Sequence, residues 1–232
     1  MSQSIQLNRR PETEKSLYAI ALVGNPNCGK TTLFNALTGS SQRVGNWPGV
    51  TVERKEGSYR YDNQTVTVID LPGVYSLDVE DTSTGLDEQV ARDYLLSGEA
   101  QLIVNIVDAS NLERNLYLTT QLLEMGVPIA IALNMMDLAK KREIAIEAEQ
   151  LSRRLGCPVI PMSASGGRGV DRLKDVVADA IQSPQTPSAQ VAYPPVIEAA
   201  LADISEALRR GDTSPSDARW LSVGLLQYDD SH

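Results

Sequence analysis

The chain has 232 residues, of which 42% are hydrophobic and 22% are charged, enough for one domain of ordinary size and a smaller appendage. Its formal net charge of −9 disfavours binding to nucleic acid or anionic lipid, so we expect no nucleic-acid partner. No apolar run reaches the ~18 residues needed to span a bilayer, and residues 1–13 lack the apolar segment of a signal peptide. We therefore expect a soluble chain.

Apolar strands alternate with amphipathic helices along the chain. The predicted elements are, in order, a strand at 17–23, a helix at 30–38, a loop at 40–52, a hairpin at 53–61 and 65–70, a helix at 87–96, a strand at 102–108, a helix at 111–125, a strand at 127–134, a helix at 143–155, a strand at 157–163 and a helix at 170–181. This order predicts an α/β fold with a six-stranded, mostly parallel sheet flanked by helices, to which the hairpin adds one antiparallel strand.

Composition also divides the chain into segments. Residues 1–15 are polar and are expected to be flexible, and residues 16–182 form the predicted main domain. Residues 183–194 are rich in Pro and Ser and are predicted to be a linker. Two further helices are predicted within 195–232, at 196–209 and 215–227. Since two helices bury little core by themselves, we expect them to be part of a truncated helical subdomain.

The first chemical motif follows the first predicted strand and reads Gly24-Asn25-Pro26-Asn27-Cys28-Gly29-Lys30-Thr31. It matches the phosphate-binding pattern GxxxxGK[ST] in the required strand-to-helix position. The glycines let backbone N–H groups turn toward phosphate oxygens, and the helix N-terminus adds partial positive charge. Lys30 would bind the β and γ phosphates, the Thr31 hydroxyl would bind Mg²⁺, and Thr32 completes the predicted contacts.

Two more motifs lie where a γ-phosphate and its Mg²⁺ would be sensed. One is Asp70-Leu71-Pro72-Gly73, which ends the second hairpin strand. Its carboxylate would hold Mg²⁺ through water, and the Gly73 N–H would sense the γ-phosphate. The other is Gly49-Val50-Thr51, in the loop before the hairpin. Its threonine would close on Mg²⁺ and the γ-phosphate.

The last two motifs predict a guanine site. Asn134-Met135-Met136-Asp137 follows an apolar strand, and Ser163-Ala164-Ser165 follows the last strand. The Asp137 carboxylate would accept two hydrogen bonds from guanine N1 and N2, a donor pair that adenine lacks. Asn134 would brace the phosphate loop and the base, and the Ala164 N–H would donate to guanine O6. These motifs lie at the carboxyl edge of the predicted sheet, where such folds bind ligands.

The ordered motifs resemble those of Ras-like P-loop GTPases of the Era-like group. Three longer stretches, at residues 42–57, 71–77 and 111–118, resemble the ferrous iron transport protein B family, and the likeness extends over about 17–180. The resemblance implies a cytosolic G domain with bound GTP or GDP, followed by a helical regulatory domain. It also implies a membrane domain of the same polypeptide that carries Fe²⁺ at the bacterial inner membrane, and a possible homo-oligomer of the full-length protein.

The resemblance also leads to expectations about hydrolysis. Val74 follows the Gly73 motif and cannot orient a water molecule, so backbone groups are expected to do so. The predicted catalytic residues are Lys30, Thr51, Gly73 and Asn27. In related proteins K⁺ bridges the phosphates, so Asn27 is expected to bind K⁺ together with carbonyls near Gly45, Asn46 and Trp47. Cys28 stands where many relatives have serine, and it is expected to be a neutral replacement. The alternative is a thiol that slows hydrolysis or makes nucleotide binding sensitive to oxidation.

Three alternatives stay open from the sequence. One is an Era-like GTPase bound to the ribosome or to tRNA, which the acidic composition disfavours. Another is a nucleotide sensor with negligible turnover, for which Val74 and Cys28 argue. An ATPase is the third, and Asp137 argues against it. The two cysteines, Cys28 and Cys157, lack metal-site spacing and are expected to be free thiols in a reducing compartment.

Overall fold

A computed structural model describes residues 17–39, 41–78, 85–189, 191–211 and 215–227. The strands are β1 (Leu17–Gly24), β2 (Gln42–Asn46), β3 (Glu53–Tyr61), β4 (Gln64–Asp70), β5 (Leu102–Asp108), β6 (Ile129–Asn134) and β7 (Val159–Pro161). The helices are α1 (Lys30–Thr38), α2 (Leu86–Ser97), α3 (Leu112–Glu124), α4 (Met136–Lys141), α5 (Ala148–Leu155), α6 (Val170–Gln182), α7 (Pro195–Arg210) and α8 (Pro215–Gln227).

The sheet has the strand order β2-β3-β4-β1-β5-β6-β7. β3 is antiparallel to both of its neighbours, and the remaining pairs are parallel. The prediction of an α/β fold with a mostly parallel sheet is therefore confirmed. The prediction of six strands is wrong, because Gln42–Asn46 forms a seventh strand inside the segment predicted as a loop. All five of its residues are exposed, so this edge strand lacks the alternation that indicates a strand.

Both faces of the sheet are covered by helices. Successive side chains of a strand point to opposite faces, so each strand contributes to two clusters. In β1, Ile20 and Leu22 pack with α1 and α6, whereas Ala21 and Val23 pack in a second cluster with α2 and α3. All six residues of β6 are buried. The site loops are therefore attached to a core that is covered by helices on both sides.

Several predicted boundaries change between β6 and α6. Glu143 has a left-handed φ of 58°, which separates the short helix α4 from α5. The helix predicted at 143–155 is therefore confined to Ala148–Leu155, and α4 was not predicted. The last strand is Val159–Pro161 rather than 157–163, because the chain then turns into the loop that carries Ser163-Ala164-Ser165. This loop is called the base loop, since it is predicted to contact the guanine base.

The two C-terminal helices pack together and against the main domain. Ser205 and Ser222 join α7 to α8 through their hydroxyl groups at 2.8 Å. Trp220 of α8 is buried in the cluster that contains α2 and α3. Arg219 binds the buried Glu124 carboxylate of α3 at 2.8 Å. These helices are therefore held by a shared core and by a partly buried ion pair.

The flanking segments are less regular. The described residues between 183 and 194 form neither helix nor strand. The segment 1–15, expected to be flexible, lies outside the described residues. Within the described ranges, no helix has the length and apolar character required to cross a bilayer.

Replacing Arg219 with Met should lower the free energy of unfolding by about 3 kcal/mol, because removing one partner of a buried pair leaves the other charge uncompensated. The Glu124 side chain is only 3% exposed. Urea denaturation followed by the fluorescence of Trp47 and Trp220, both of which are buried, measures the loss. Arg210→Met is the matched control, because its pair with Glu206 is exposed on both sides and should contribute less than about 1 kcal/mol. Equal losses for the two variants would contradict the role of Arg219.

Candidate nucleotide-binding site

The phosphate loop connects β1 to α1 and is held close to its neighbours. A Cβ at Gly24 would lie 2.6 Å from the Ile106 carbonyl oxygen, so this position requires glycine. Gly29 has φ +93°, and a Cβ there would overlap the Asn134 amide nitrogen. Asn27 is exposed and has a left-handed φ of 66°. The loop conformation is thus fixed by contacts with β5 and β6.

Cys28 is buried within this loop. Burial raises the pKa of its thiol to about 11, despite the opposing effect of Lys30. The thiol is therefore protonated at neutral pH and is a poor nucleophile. This environment favours the interpretation of Cys28 as a neutral replacement for serine.

Asn134 joins the phosphate loop to the base loop. Its amide nitrogen donates to the Cys28 carbonyl at 2.9 Å, and its amide oxygen accepts from the Ala164 N–H at 2.9 Å. Asn134 is 3% exposed, so both bonds are buried. The predicted bracing of the phosphate loop is present. The Ala164 N–H, which is predicted to donate to guanine O6, already donates to Asn134. To bind the base it would have to donate to both oxygens or give up its bond with Asn134.

Asp137 lies in the first turn of α4 and faces the base loop. Its backbone N–H donates to the Ser163 hydroxyl oxygen at 3.3 Å. A hydrogen bond with the Ser163 side chain holds the pKa of the Asp137 carboxyl below its usual value, and Arg168 and Lys141 act in the same direction. Asp137 and Ser163 line one cavity of about 580 Å³. The carboxylate is thus ionised and accessible to a ligand.

Lys30 and Asp70 meet at the phosphate side of the site. The Lys30 ammonium lies 2.6 Å from an Asp70 carboxylate oxygen, and their side chains are 12% and 5% exposed. Both line a cavity of about 670 Å³ together with Thr31 and Thr51. Oxygen ligands predicted for Mg²⁺ therefore converge on one cavity. Lys30 would have to release Asp70 in order to bind phosphates.

The Gly73 turn packs directly on the phosphate loop. The Val74 N–H donates to the Gly24 carbonyl at 3.2 Å, and a Cβ at Gly73 would lie 3.4 Å from the Pro26 backbone. Val74 is fully buried. Its side chain therefore points away from solvent and cannot orient a water molecule. The Gly73 backbone lies beside the loop that would hold the phosphates.

The remaining predicted residues are distributed around these contacts. Asn25 is buried, and neither polar atom of its side-chain amide has a hydrogen-bond partner within the described part of the chain. Thr32 is exposed on α1. The other predicted residues lie in the loops described above or line their cavities: Pro26, Gly49, Val50, Leu71, Pro72, Met135, Met136 and Ser165.

Sequence reasoning missed several residues of the phosphate-side cavity. Glu53 and Lys55 of β3 line it and form an ion pair at 2.9 Å. Residues 85–88, at the start of α2, line it as well. Lys55 and Glu53 line the cavity because Lys55 pairs with Asp70 across β3 and β4. The hairpin pattern in the sequence would have allowed this register to be predicted.

The residues predicted to bind phosphate, metal and base thus converge on the carboxyl edge of a Ras-like sheet, and this combination defines the class of P-loop GTPases. Comparisons with known proteins narrow the class. A family model described as ferrous iron transport protein B matches residues 18–177. The Fe(2+) transporter FeoB of Escherichia coli strain K12 is 52% identical over 210 residues, which are 90% of this chain and 27% of the transporter.

Solved structures agree with this match. The cytosolic domain of L. pneumophila FeoB has a TM-score of 0.85 and 41% identity, with 91% of this chain and 90% of that chain covered. The cytosolic domain of the T. maritima FeoB iron transporter in its GMPPNP form has a TM-score of 0.84 and 39% identity, covering 92% of this chain and 82% of that one. This chain belongs to the ferrous iron transport protein B family, of which it spans the G-domain region.

Replacing Asn134 with Ala should lower the free energy of unfolding by about 2 kcal/mol, because two buried backbone groups lose their partner. It should also weaken GDP binding at least ~10-fold, since the phosphate and base loops would no longer be joined. Calorimetry with GDP and urea denaturation measure the two effects. Asn105→Ala is the control, because Asn105 is equally buried but bonds Thr119 away from the site. Equal loss of GDP affinity in both variants would contradict the bridging role.

Proposed function

We propose that this chain is the GTP-binding and GTP-hydrolysing domain that regulates or drives Fe²⁺ uptake by a bacterial ferrous iron transporter. The observation that carries the proposal is the convergence of Lys30, Thr31, Thr51 and Asp70 on one cavity, beside the Asn134 bridge to the base loop. Residues 16–182 are the proposed G domain, 183–194 the linker and 195–232 part of the helical regulatory domain.

Guanine selectivity is assigned to Asp137. Its carboxylate is kept ionised by the hydrogen bond with Ser163, so it presents acceptors only. Guanine offers two adjacent donors, N1–H and N2–H, that match these acceptors, whereas adenine offers no such pair. With adenine bound, the Asp137 carboxylate would lack its two donors, and the affinity for ATP would be lower.

The triphosphate and its metal are assigned to the cavity at Lys30. Among the described residues, no cluster of three or more His, Cys, Asp or Glu is arranged to hold a metal. Mg²⁺ binds through one or two protein oxygens and takes its other ligands from phosphates and water. Thr31, Thr51 and Asp70 are the proposed protein ligands. Lys30 would exchange the Asp70 carboxylate for phosphate oxygens.

Hydrolysis is assigned to backbone groups and to positive charge rather than to a side-chain base. Gly73 lies against the phosphate loop, where its N–H would sense the γ-phosphate. Lys30 would neutralise charge that develops on the transferring phosphoryl group. Thr51 would close on Mg²⁺ and the γ-phosphate, and backbone groups would orient the attacking water. This mechanism is supported by the buried position of Val74, whose side chain has no polar atom to offer.

A potassium ion is the proposed second cation. Asn27 is exposed at the tip of the phosphate loop, and its amide oxygen is a suitable ligand for K⁺. Gly45 and Asn46 pair with β3, and the Trp47 carbonyl accepts the Val50 N–H. The carbonyl oxygens of these residues would therefore have to coordinate K⁺ while the hydrogen bonds with β3 and with the Val50 N–H stay intact. When bound, K⁺ would supply positive charge next to the phosphates.

The link to iron transport rests on the family relationship. The chain spans 27% of the length of the E. coli transporter that it resembles. The proposed partner is therefore a membrane domain in the same polypeptide, which would place this domain on the cytoplasmic face of the inner membrane. Homo-oligomers of the full-length protein are part of the same proposal.

Replacing Asp137 with Asn should change base preference from guanine to xanthine. The Asn amide can donate to the xanthine O2 and accept from its N1–H, whereas it cannot accept both guanine donors. We expect GDP affinity to fall at least ~100-fold and XDP affinity to rise above it. Calorimetry with GDP, XDP and ADP measures this preference. If the variant retained its preference for GDP, Asp137 would not read the base.

GTP hydrolysis should be at least ~10-fold faster in K⁺ than in Na⁺ at equal ionic strength, because the smaller ion suits the proposed carbonyl and amide ligands less well. Asn27→Ala should abolish the difference and leave GDP affinity within about twofold. Single-turnover phosphate release measures the rates. Equal rates in the two salts for the unaltered chain would argue against the potassium site, and negligible turnover in both would support a sensor without catalysis.

A further inference from the structure

Trp47 is the sole buried residue of the segment 41–56, every residue of which the structure describes. Its side chain is 7% exposed, and it belongs to the core cluster that includes α2 and α3. Thr51, four positions later, is exposed and lines the cavity of Lys30 and Asp70. Val50 and Val52, on either side of Thr51, are half-buried and pack against the same cluster. Trp47 is therefore the most deeply buried point of attachment of this segment, beside two partly buried ones.

Backbone hydrogen bonds connect that point of attachment to Thr51. The Val50 N–H donates to the Trp47 carbonyl at 3.3 Å, with Pro48 second and Gly49 third in the turn. Gly49 has φ +78°, as a type II turn requires at its third residue. The Trp47 N–H donates to the Val52 carbonyl at 2.9 Å. Thr51 thus lies in a small closed loop whose two ends meet at Trp47.

The Trp47 indole is held from two sides. The Tyr94 ring of α2 meets it edge to face, with ring centroids 5.2 Å apart. The Arg54 guanidinium lies 4.7 Å from the centre of the Trp47 ring. Aromatic pairs and cation–π contacts of this kind favour one ring orientation. The indole N–H has no acceptor within the described residues, so the anchoring depends on the ring rather than on a hydrogen bond.

We propose that Trp47 is a positioning residue for Thr51. Its indole, packed between Arg54 and Tyr94, holds the loop so that the Thr51 hydroxyl stays at the cavity where the γ-phosphate and Mg²⁺ would bind. The inference rests on the proposed role of Thr51. Because Thr51 would contact the γ-phosphate side of the nucleotide, Trp47 affects the triphosphate state and leaves the diphosphate state nearly unchanged.

The test compares GMPPNP and GDP affinities of the whole chain, measured by calorimetry in Mg²⁺. Thr51→Ala should weaken GMPPNP binding at least ~10-fold and change GDP binding by less than about twofold. Trp47→Ala should give the same pattern. Trp47→Phe should restore GMPPNP affinity, because it keeps an aromatic ring and removes only the unpaired N–H. In the double variant, Trp47→Ala should add nothing to Thr51→Ala.

Tyr59→Ala is a closely matched control. Tyr59 is a buried aromatic residue of β3, the strand that follows the Thr51 loop. It also has a buried polar atom without a partner among the described residues, and Lys174 lies over its ring. It packs on the opposite face of the sheet, in the cluster with α1 and α6. Its replacement should cost stability without a selective loss of GMPPNP affinity. An equal selective loss would show that any buried aromatic residue has this effect and would overturn the proposal.

The proposed role of Thr51 and the proposed role of Trp47 predict different results when either is wrong. If Thr51→Ala leaves GMPPNP affinity unchanged, the proposed role of Thr51 is wrong. If Thr51→Ala weakens binding but Trp47→Ala does not, or if their effects add, Trp47 does not act through Thr51. Should Trp47→Ala not fold, Tyr94→Leu removes the edge contact and leaves the loop sequence intact. It should give a smaller GMPPNP-selective loss that disappears in the Thr51→Ala background, and any other result contradicts the proposal.

Discussion

The two hydrogen bonds of Asn134 are the interaction on which the rest of the site depends. One buried side chain holds the Cys28 carbonyl of the phosphate loop and the Ala164 N–H of the base loop, each at 2.9 Å. Leaving such groups unpaired would cost about 1–3 kcal/mol each. Gly29 is needed for the same reason, since a side chain there would occupy the position of the Asn134 amide. The spacing between phosphate and base contacts is therefore fixed by the protein before a ligand binds.

The phosphate-loop, Asp70, Asn134 and Ser163 motifs could be predicted from the sequence because each follows a strand, and parallel strands bring their carboxyl ends to one edge. β2 could not be predicted, because Gln42–Asn46 is exposed throughout and carries no alternating pattern. The bond between Asn134 and Ala164 depends on how β6 and β7 pair, which local sequence does not encode. The contact between Trp47 and Tyr94 likewise joins a loop to a distant helix, so only the tertiary structure reveals it.

Charge balance would couple binding of the proposed metal ion to binding of the nucleotide. Lys30 and Asp70 neutralise one another at 2.6 Å in a largely buried environment. A phosphate that took Lys30 would leave a buried carboxylate without a counter-ion, which is costly. A divalent cation that accompanies the phosphate would supply the missing charge. The proposed exchange therefore requires both partners together, since either one alone would leave one member of the pair uncompensated.

Different parts of the sheet carry the residues proposed to bind the base and those proposed to bind the γ-phosphate. The base-side strand β6 is buried along its whole length, whereas β2, beside the Thr51 loop, is exposed along its whole length. β3 joins the two regions, because Glu53 and Lys55 line the phosphate cavity while Arg54, between them, lies over Trp47 on the other face. A shift of β3 would therefore move the cavity charges and the Trp47 contact together. Stability is lowest where burial is least. The exposed edge strand β2 would therefore be the part of the sheet that responds to a γ-phosphate, while the buried strand β6 would keep its position beside the base.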